Sequence, residues 1–137
     1  MPFEEIAHTA DWALRVWAAD LNQLFTESAR GMNAMSGTRL AESPRAQRSL
    51  SLSAGDVDSL MVSFLSELVY LAEQDRLGFD QFELRIAPGQ NRTWRLKASM
   101  EGAPILSMDK SIKAVTYHNL HIIQTGRGFE VEIVFDV

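Results

Sequence analysis

Two aspartates near opposite ends of the chain are the residues best suited to chemistry. Asp11 closes the segment His8-Thr9-Ala10-Asp11, and Asp136 is bonded to Val137, the last residue of the sequence. Hard divalent cations take oxygen ligands, chiefly carboxylates and carbonyls. A fold that joins the two ends would set Asp11, Asp136 and the main-chain oxygens of Val137 around one ion. The same spacing also describes two solvated aspartates near frayed termini, and spacing alone does not choose between these readings. Lys113, in the run Lys113-Ala114-Val115-Thr116-Tyr117-His118, is a cation able to pair with a carboxylate or a phosphate. Taken alone it is an ordinary surface lysine.

Other chemistries find little support. The three histidines, His8, His118 and His121, lack the i, i+4 pairing of helical zinc motifs, and there is no cysteine to complete a site. The missing cysteines also remove thiol nucleophiles and disulfides. No Gly-x-Ser-x-Gly elbow is present. Gly126-Arg127-Gly128 precedes no helix, so it is not a dinucleotide loop. Asp56 and Asp58 open an apolar helix and read as capping and helix-dipole residues. Trp12, Trp17 and Trp94 read as packing residues rather than base-stacking platforms. The formal charge of −5 argues against a free-standing nucleic-acid binder.

The elements that position these residues follow from periodicity. Phe3–Ala7 reads as a short strand. Residues 13–18 alternate as a second, with Leu14, Val16 and Ala18 on one face. Asp20 caps a helix whose apolar positions run from Leu21 to Met35 at spacings of three and four, and Gly37 stops it. Residues 38–48 read as loop, and Leu50 and Leu52 mark a strand. From Asp56, apolar residues from Val57 to Ala72 predict a central buried helix. Strands are expected over 79–86, 94–100 and 129–135. Residues 102–109 read as loop or a poorly regular strand, and 112–123 as mostly extended. On the last strand Phe129, Val131, Ile133 and Phe135 share the core face, which puts Asp136 on the other. The expectation is a single α+β domain over 1–137, with two amphipathic helices packed in two layers on a mainly antiparallel sheet. No apolar run is long enough to span a bilayer. Met1–Glu5 lacks the features of a signal peptide, so a cytoplasmic protein is expected.

Four segments, in order over nearly the whole chain, resemble the archease family. They are His8-Thr9-Ala10-Asp11, Leu65-Ser66-Glu67-Leu68-Val69-Tyr70-Leu71, the run from Ile112 to Leu120, and the ending Val134-Phe135-Asp136-Val137. The resemblance implies a protein cofactor of the RtcB-type RNA-splicing ligase, which joins RNA ends in tRNA splicing and RNA repair. Such a cofactor promotes ligase guanylylation and multiple turnover and is not itself an enzyme. It also implies a divalent metal, usually calcium, and by position the site falls on Asp11, Asp136 and Val137. His8, Lys113 and His118 become partner-facing candidates. RNA is met only through the ligase, and self-association is left open. The alternatives are a small metal-dependent phosphoesterase and a chaperone-like partner of an RNA-modifying enzyme. The chain departs from the family pattern at Trp12, at Phe64 where Trp is expected, and over 38–48.

Overall fold

The computed structural model describes residues 2–7 and 12–137. The elements in order are β1 (Phe3–Ala7), β2 (Trp12–Ala18), α1 (Leu21–Ser36), β3 (Arg39–Leu40), β4 (Ala46–Ala54), α2 (Val57–Asp75), β5 (Leu77–Pro88), β6 (Trp94–Ser107), β7 (Ala114–Val115), β8 (Ile123–Thr125) and β9 (Gly128–Asp136). Both helices open as their sequences demand. Asp20 accepts the Gln23 N–H at 2.8 Å, and Asp56 accepts the Ser59 N–H at 2.7 Å, which satisfies amides that the first turn leaves free. The backbone bond from Ser59 is the main reason that the Asp56 carboxyl titrates below its ordinary range. Gly37, at φ 65°, ends α1 in the left-handed region that suits glycine.

All strand pairs among the described residues are antiparallel, and they form two sheets. In the first, β2 lies between β1 and β9, and the far edge of β9 carries β7 and β8. In the second, β6 is central, with β3 and β4 along one side and β5 along the other. α1 packs on β2 and β5, and α2 packs on β4, β5, β6 and β7. The expected α+β class therefore holds, with two amphipathic helices on antiparallel sheets.

The core joins all of these layers. Leu14, Val16, Ile133 and Phe135 come from the first sheet and Leu84, Leu96 and Met100 from the second. Leu60, Met61, Phe64 and Leu65 of α2 are fully buried, as expected of the central helix. The Phe64 ring lies 6.0 Å from Phe25 of α1 and 6.5 Å, edge-on, from Phe82 of β5. Such pairs add about 0.5–1.5 kcal/mol beyond area burial. Among the described residues no helix is long and apolar enough to cross a membrane.

Three expectations are corrected. Residues 38–48 are not all loop, because Arg39–Leu40 pair with the end of β6 and β4 already begins at Ala46. Residues 102–109 are not a break in the sheet, since β6 runs unbroken through Ser107. Gly102, at the head of that stretch, is a close-approach site. A Cβ there would overlap the Gly78 carbonyl and sit 2.7 Å from the Phe79 Cα, beside a bulge between Phe79 and Gln81. Residues 112–123 are not mostly extended. Only their ends pair with β9; between them the Leu120 N–H bonds the Tyr117 carbonyl at 3.1 Å, and Asn119 is left-handed at φ 53°. Of the β-formers in that run, Val115 and Ile123 pair with β9, while Thr116 bonds the Val134 carbonyl and Tyr117 is exposed.

Candidate functional site

The described part of the candidate site lies where β2 begins and β9 ends. Trp12 is the register partner of Phe135, and Ala13 is the partner of Val134. On the other edge of β9, Ala114 pairs with Asp136 and Val115 with Phe135. The Lys113 N–H donates to the Asp136 carbonyl at 2.8 Å, while the Thr116 N–H and hydroxyl both donate to the Val134 carbonyl at 3.0 Å. The two most specific pieces of the sequence, the Lys113–His118 run and the ending Asp136-Val137, are thus hydrogen-bonded neighbours. The phase read for the last strand also holds. Val131, Ile133 and Phe135 are buried, and Asp136 is exposed. Its side chain is in no ion pair among the described residues. Val137 is half-buried against the core. His8 and Asp11, and with them the expected closure of Asp11 on Asp136, lie outside the described residues.

The segment that follows β6 frames this end of the molecule. The Asp109 and Lys110 N–H groups both donate to the Ser36 carbonyl, at 2.9 and 3.1 Å, at the end of α1. Lys110 Nζ then lies 3.9 Å from the centroid of the Trp12 ring, a cation–π contact. Trp12, one of the departures from the family pattern, therefore holds a cation at the start of β2. Lys113, three residues on, is exposed and stands at the rim of a groove of about 260 Å³. Met32 of α1, Leu68 and Val69 of α2, Phe79 of β5 and Ile112 form much of its apolar wall. Helical periodicity shows which faces are apolar, but it carries no signal that two such faces will leave a gap.

The candidate histidine is less central. His118 is exposed; its N–H donates to the Thr116 hydroxyl at 3.2 Å, and its Nε2 lies 3.3 Å from Asn119 Nδ2. Its ring engages a neighbour rather than Asp136. Asp58 has a role beyond the capping read from sequence. Asp56 is the cap, and Asp58 reaches across to accept the Ile122 N–H at 2.8 Å, with His121 Nδ1 at 3.5 Å from its other oxygen. It ties the far end of the 116–122 segment to the first turn of α2. No sequence pattern marks such a bond between residues 64 positions apart.

Similarity to known proteins agrees with this arrangement. The family model described as "Archease protein family (MTH1598/TM1083)" matches residues 3–137. An archease of Methanopyrus kandleri is 30% identical over 141 residues, covering all of both chains. One of Methanosarcina barkeri is 31% identical over 98% of this chain and 95% of its own. Two solved structures share the fold. A protein of Methanobacterium thermoautotrophicum matches with a TM-score of 0.77 at 22% identity, over 99% of each chain. A Thermotoga maritima archease described as a "possible chaperone" matches with a TM-score of 0.63 at 18% identity, over 98% of this chain and 96% of its own. With the family model matched over residues 3–137, the chain belongs to the archease family.

Proposed function

We propose that this chain is a non-catalytic protein activator of an RtcB-type RNA-splicing ligase and that it carries a divalent cation on Asp11, Asp136 and Val137. The observation that carries this reading is the hydrogen-bonded union of the Lys113–Thr116 run with the end of β9. It holds Asp136 at an exposed edge, while β2, which begins one residue after Asp11, is paired alongside Phe135. The donors are all oxygens, which suits a hard cation such as calcium and not zinc. The Asp136 carbonyl already accepts one N–H, but a carbonyl has a second lone pair. When bound, the ion supplies positive charge for oxygens of a partner or a nucleotide.

The chain's own residues do the positioning. Lys113 fixes the end of β9 through its main chain and leaves its ammonium free to orient a carboxylate or phosphate. Lys110 is held on Trp12 nearby. His8 and His118 are partner-facing. In this reading the ligase, in the cytoplasm, is the partner, and RNA is met through it. The description of the Thermotoga maritima relative as a "possible chaperone" supports a role exerted on another protein.

The test adds the purified chain to a cognate ligase with GTP and a divalent metal, then follows guanylylation and multiple-turnover joining. Wild type should stimulate both. Asp136→Lys, folded by circular dichroism, should not, because charge reversal repels both the cation and a basic surface. Full stimulation by that variant refutes the reading. Phosphoester hydrolysis by the chain alone would replace it with the hydrolase alternative.

A further inference from the structure

The outer face of the second sheet carries a cationic patch that the site described above does not use. Arg85 of β5 and Lys97 of β6 are direct register partners, and Ser51 of β4 faces Lys97 from the other side. Arg95, two residues before Lys97, lies on the same face with Ser53 opposite. All five residues are exposed. Strand spacing puts the three cationic Cα atoms within about 5–8 Å of one another, inside one Debye length at physiological salt. None of the three takes part in an ion pair among the described residues. Glu83, two positions before Arg85 on the same face, forms no ion pair with it and leaves the patch a net excess of two positive charges.

Like charges directly opposite across a ladder destabilise a sheet. Here the arrangement stands on a chain whose formal charge is −5. At the other end of the same sheet charge is fully paired, with Arg45 joined to Asp80 at 2.6 Å and to Glu101 at 2.9 Å. The unpaired cluster is therefore a local feature and not the overflow of a basic protein.

We propose that this face binds the phosphate backbone of single-stranded RNA. Charge complementarity requires an anionic partner. A protein partner would call for aromatic or Met residues beside the arginines at the centre of the patch, and a membrane surface would call for an apolar edge to insert. The rows of Lys97 and Arg95 offer cations, serine hydroxyls and Ala87, with Glu83 in the next row; cations and hydroxyls of this kind contact phosphates without reading bases. The proposal departs from the reading above in giving the chain its own contact with RNA; it does not depend on ligase activation, so the two can fail separately.

Fluorescence anisotropy of a labelled single-stranded RNA tests it. Three phosphate contacts give a slope of about −2 in log K against log salt, so affinity should fall about twentyfold between 50 and 200 mM. Lys97→Gln should flatten the slope by about 0.7. The combined Arg85→Gln, Arg95→Gln, Lys97→Gln variant should lose binding while melting no lower than wild type, since like-charge repulsion is relieved. Arg30→Gln, on α1, should bind as wild type. Undiminished RNA binding by the triple variant overturns the proposal. So does loss of ligase activation by that variant with RNA binding intact, which would mark an acidic protein partner. Binding to phosphatidylserine vesicles in place of RNA, lost in the same variant, would also overturn it.

Discussion

Asp58 links the fold to the candidate site, and its removal has a calculable effect. Its carboxylate accepts the Ile122 N–H at 2.8 Å and lies 3.5 Å from His121. A hydrogen bond to a charged group contributes about 1.5–3 kcal/mol. The Asp58 side chain keeps 30% of its exposure, so the lower end applies. Asp58→Ala should thus cost about 1.5 kcal/mol, of which the lost helix-dipole interaction is a small part. A domain of 137 residues has an unfolding entropy near 0.3 kcal/mol/K, which makes the fall in Tm about 5 °C if the loss is felt globally. The decisive assay is local. Amide exchange at Ile122 should quicken about tenfold relative to the protein's slowest amides, since about 1.4 kcal/mol is a factor of ten. Asp20→Ala, which removes a helix cap for about 1 kcal/mol, is the matched control. It should leave the Ile122 amide protected and stimulate a ligase better than Asp58→Ala does. If Ile122 exchange is unchanged in Asp58→Ala, or the two variants stimulate equally, Asp58 does not position the 116–122 segment and the argument fails.

Phe64→Ala should cost about 3–5 kcal/mol in urea unfolding, because the ring is fully buried between Phe25 and Phe82. Gly102→Ala should destabilise by at least the roughly 1–3 kcal/mol of an overpacked core, because its Cβ meets the rigid backbone of Gly78 and Phe79. The lowered carboxyl of Asp56 stabilises the fold above the ordinary aspartate range, and that contribution is lost as pH falls through its folded-state value; Asp56→Ala should flatten the acid limb of a stability-against-pH curve. Calcium at a hundredfold excess over its dissociation constant should stabilise wild type by about 2.7 kcal/mol. It should not stabilise Asp136→Ala, and equal stabilisation of both would place the ion elsewhere.

What the sequence disclosed was what local physics governs. Asp20, Asp56 and Gly37 mark helix ends because capping is satisfied within a few residues. The face of Asp136 could be read because strand phase is a local alternation. The rest depended on distant partners. Arg39 and Leu40 are strand residues only because β6 passes beside them. Gly102 has no legible role until the Gly78 backbone is seen against it. Lys110 acquires a role from Trp12, almost a hundred residues away, and Asp58 from Ile122. The outer charges of β5 and β6 were visible as residues but not as a cluster, since register alone sets Arg85 across from Lys97.

The segment from Asp109 to Ile122 shows why the site sits where it does. It is fixed in turn to the end of α1 through Ser36, to the start of β2 through Trp12, to the end of β9 through Val134 and Asp136, and to the start of α2 through Asp58. Each anchor is one to three hydrogen bonds or a ring contact, each such contact worth about 0.5–3 kcal/mol. None alone outweighs the entropy of ordering the stretch, about 1–2 kcal/mol per residue. The segment is therefore held jointly, together with the burial of Val115 and Leu120 in the core. Loss of one tie should loosen its neighbours along the chain. On this argument a residue at the head of α2 should bear on the position of Lys113 without touching it, which is what the Asp58→Ala comparison tests.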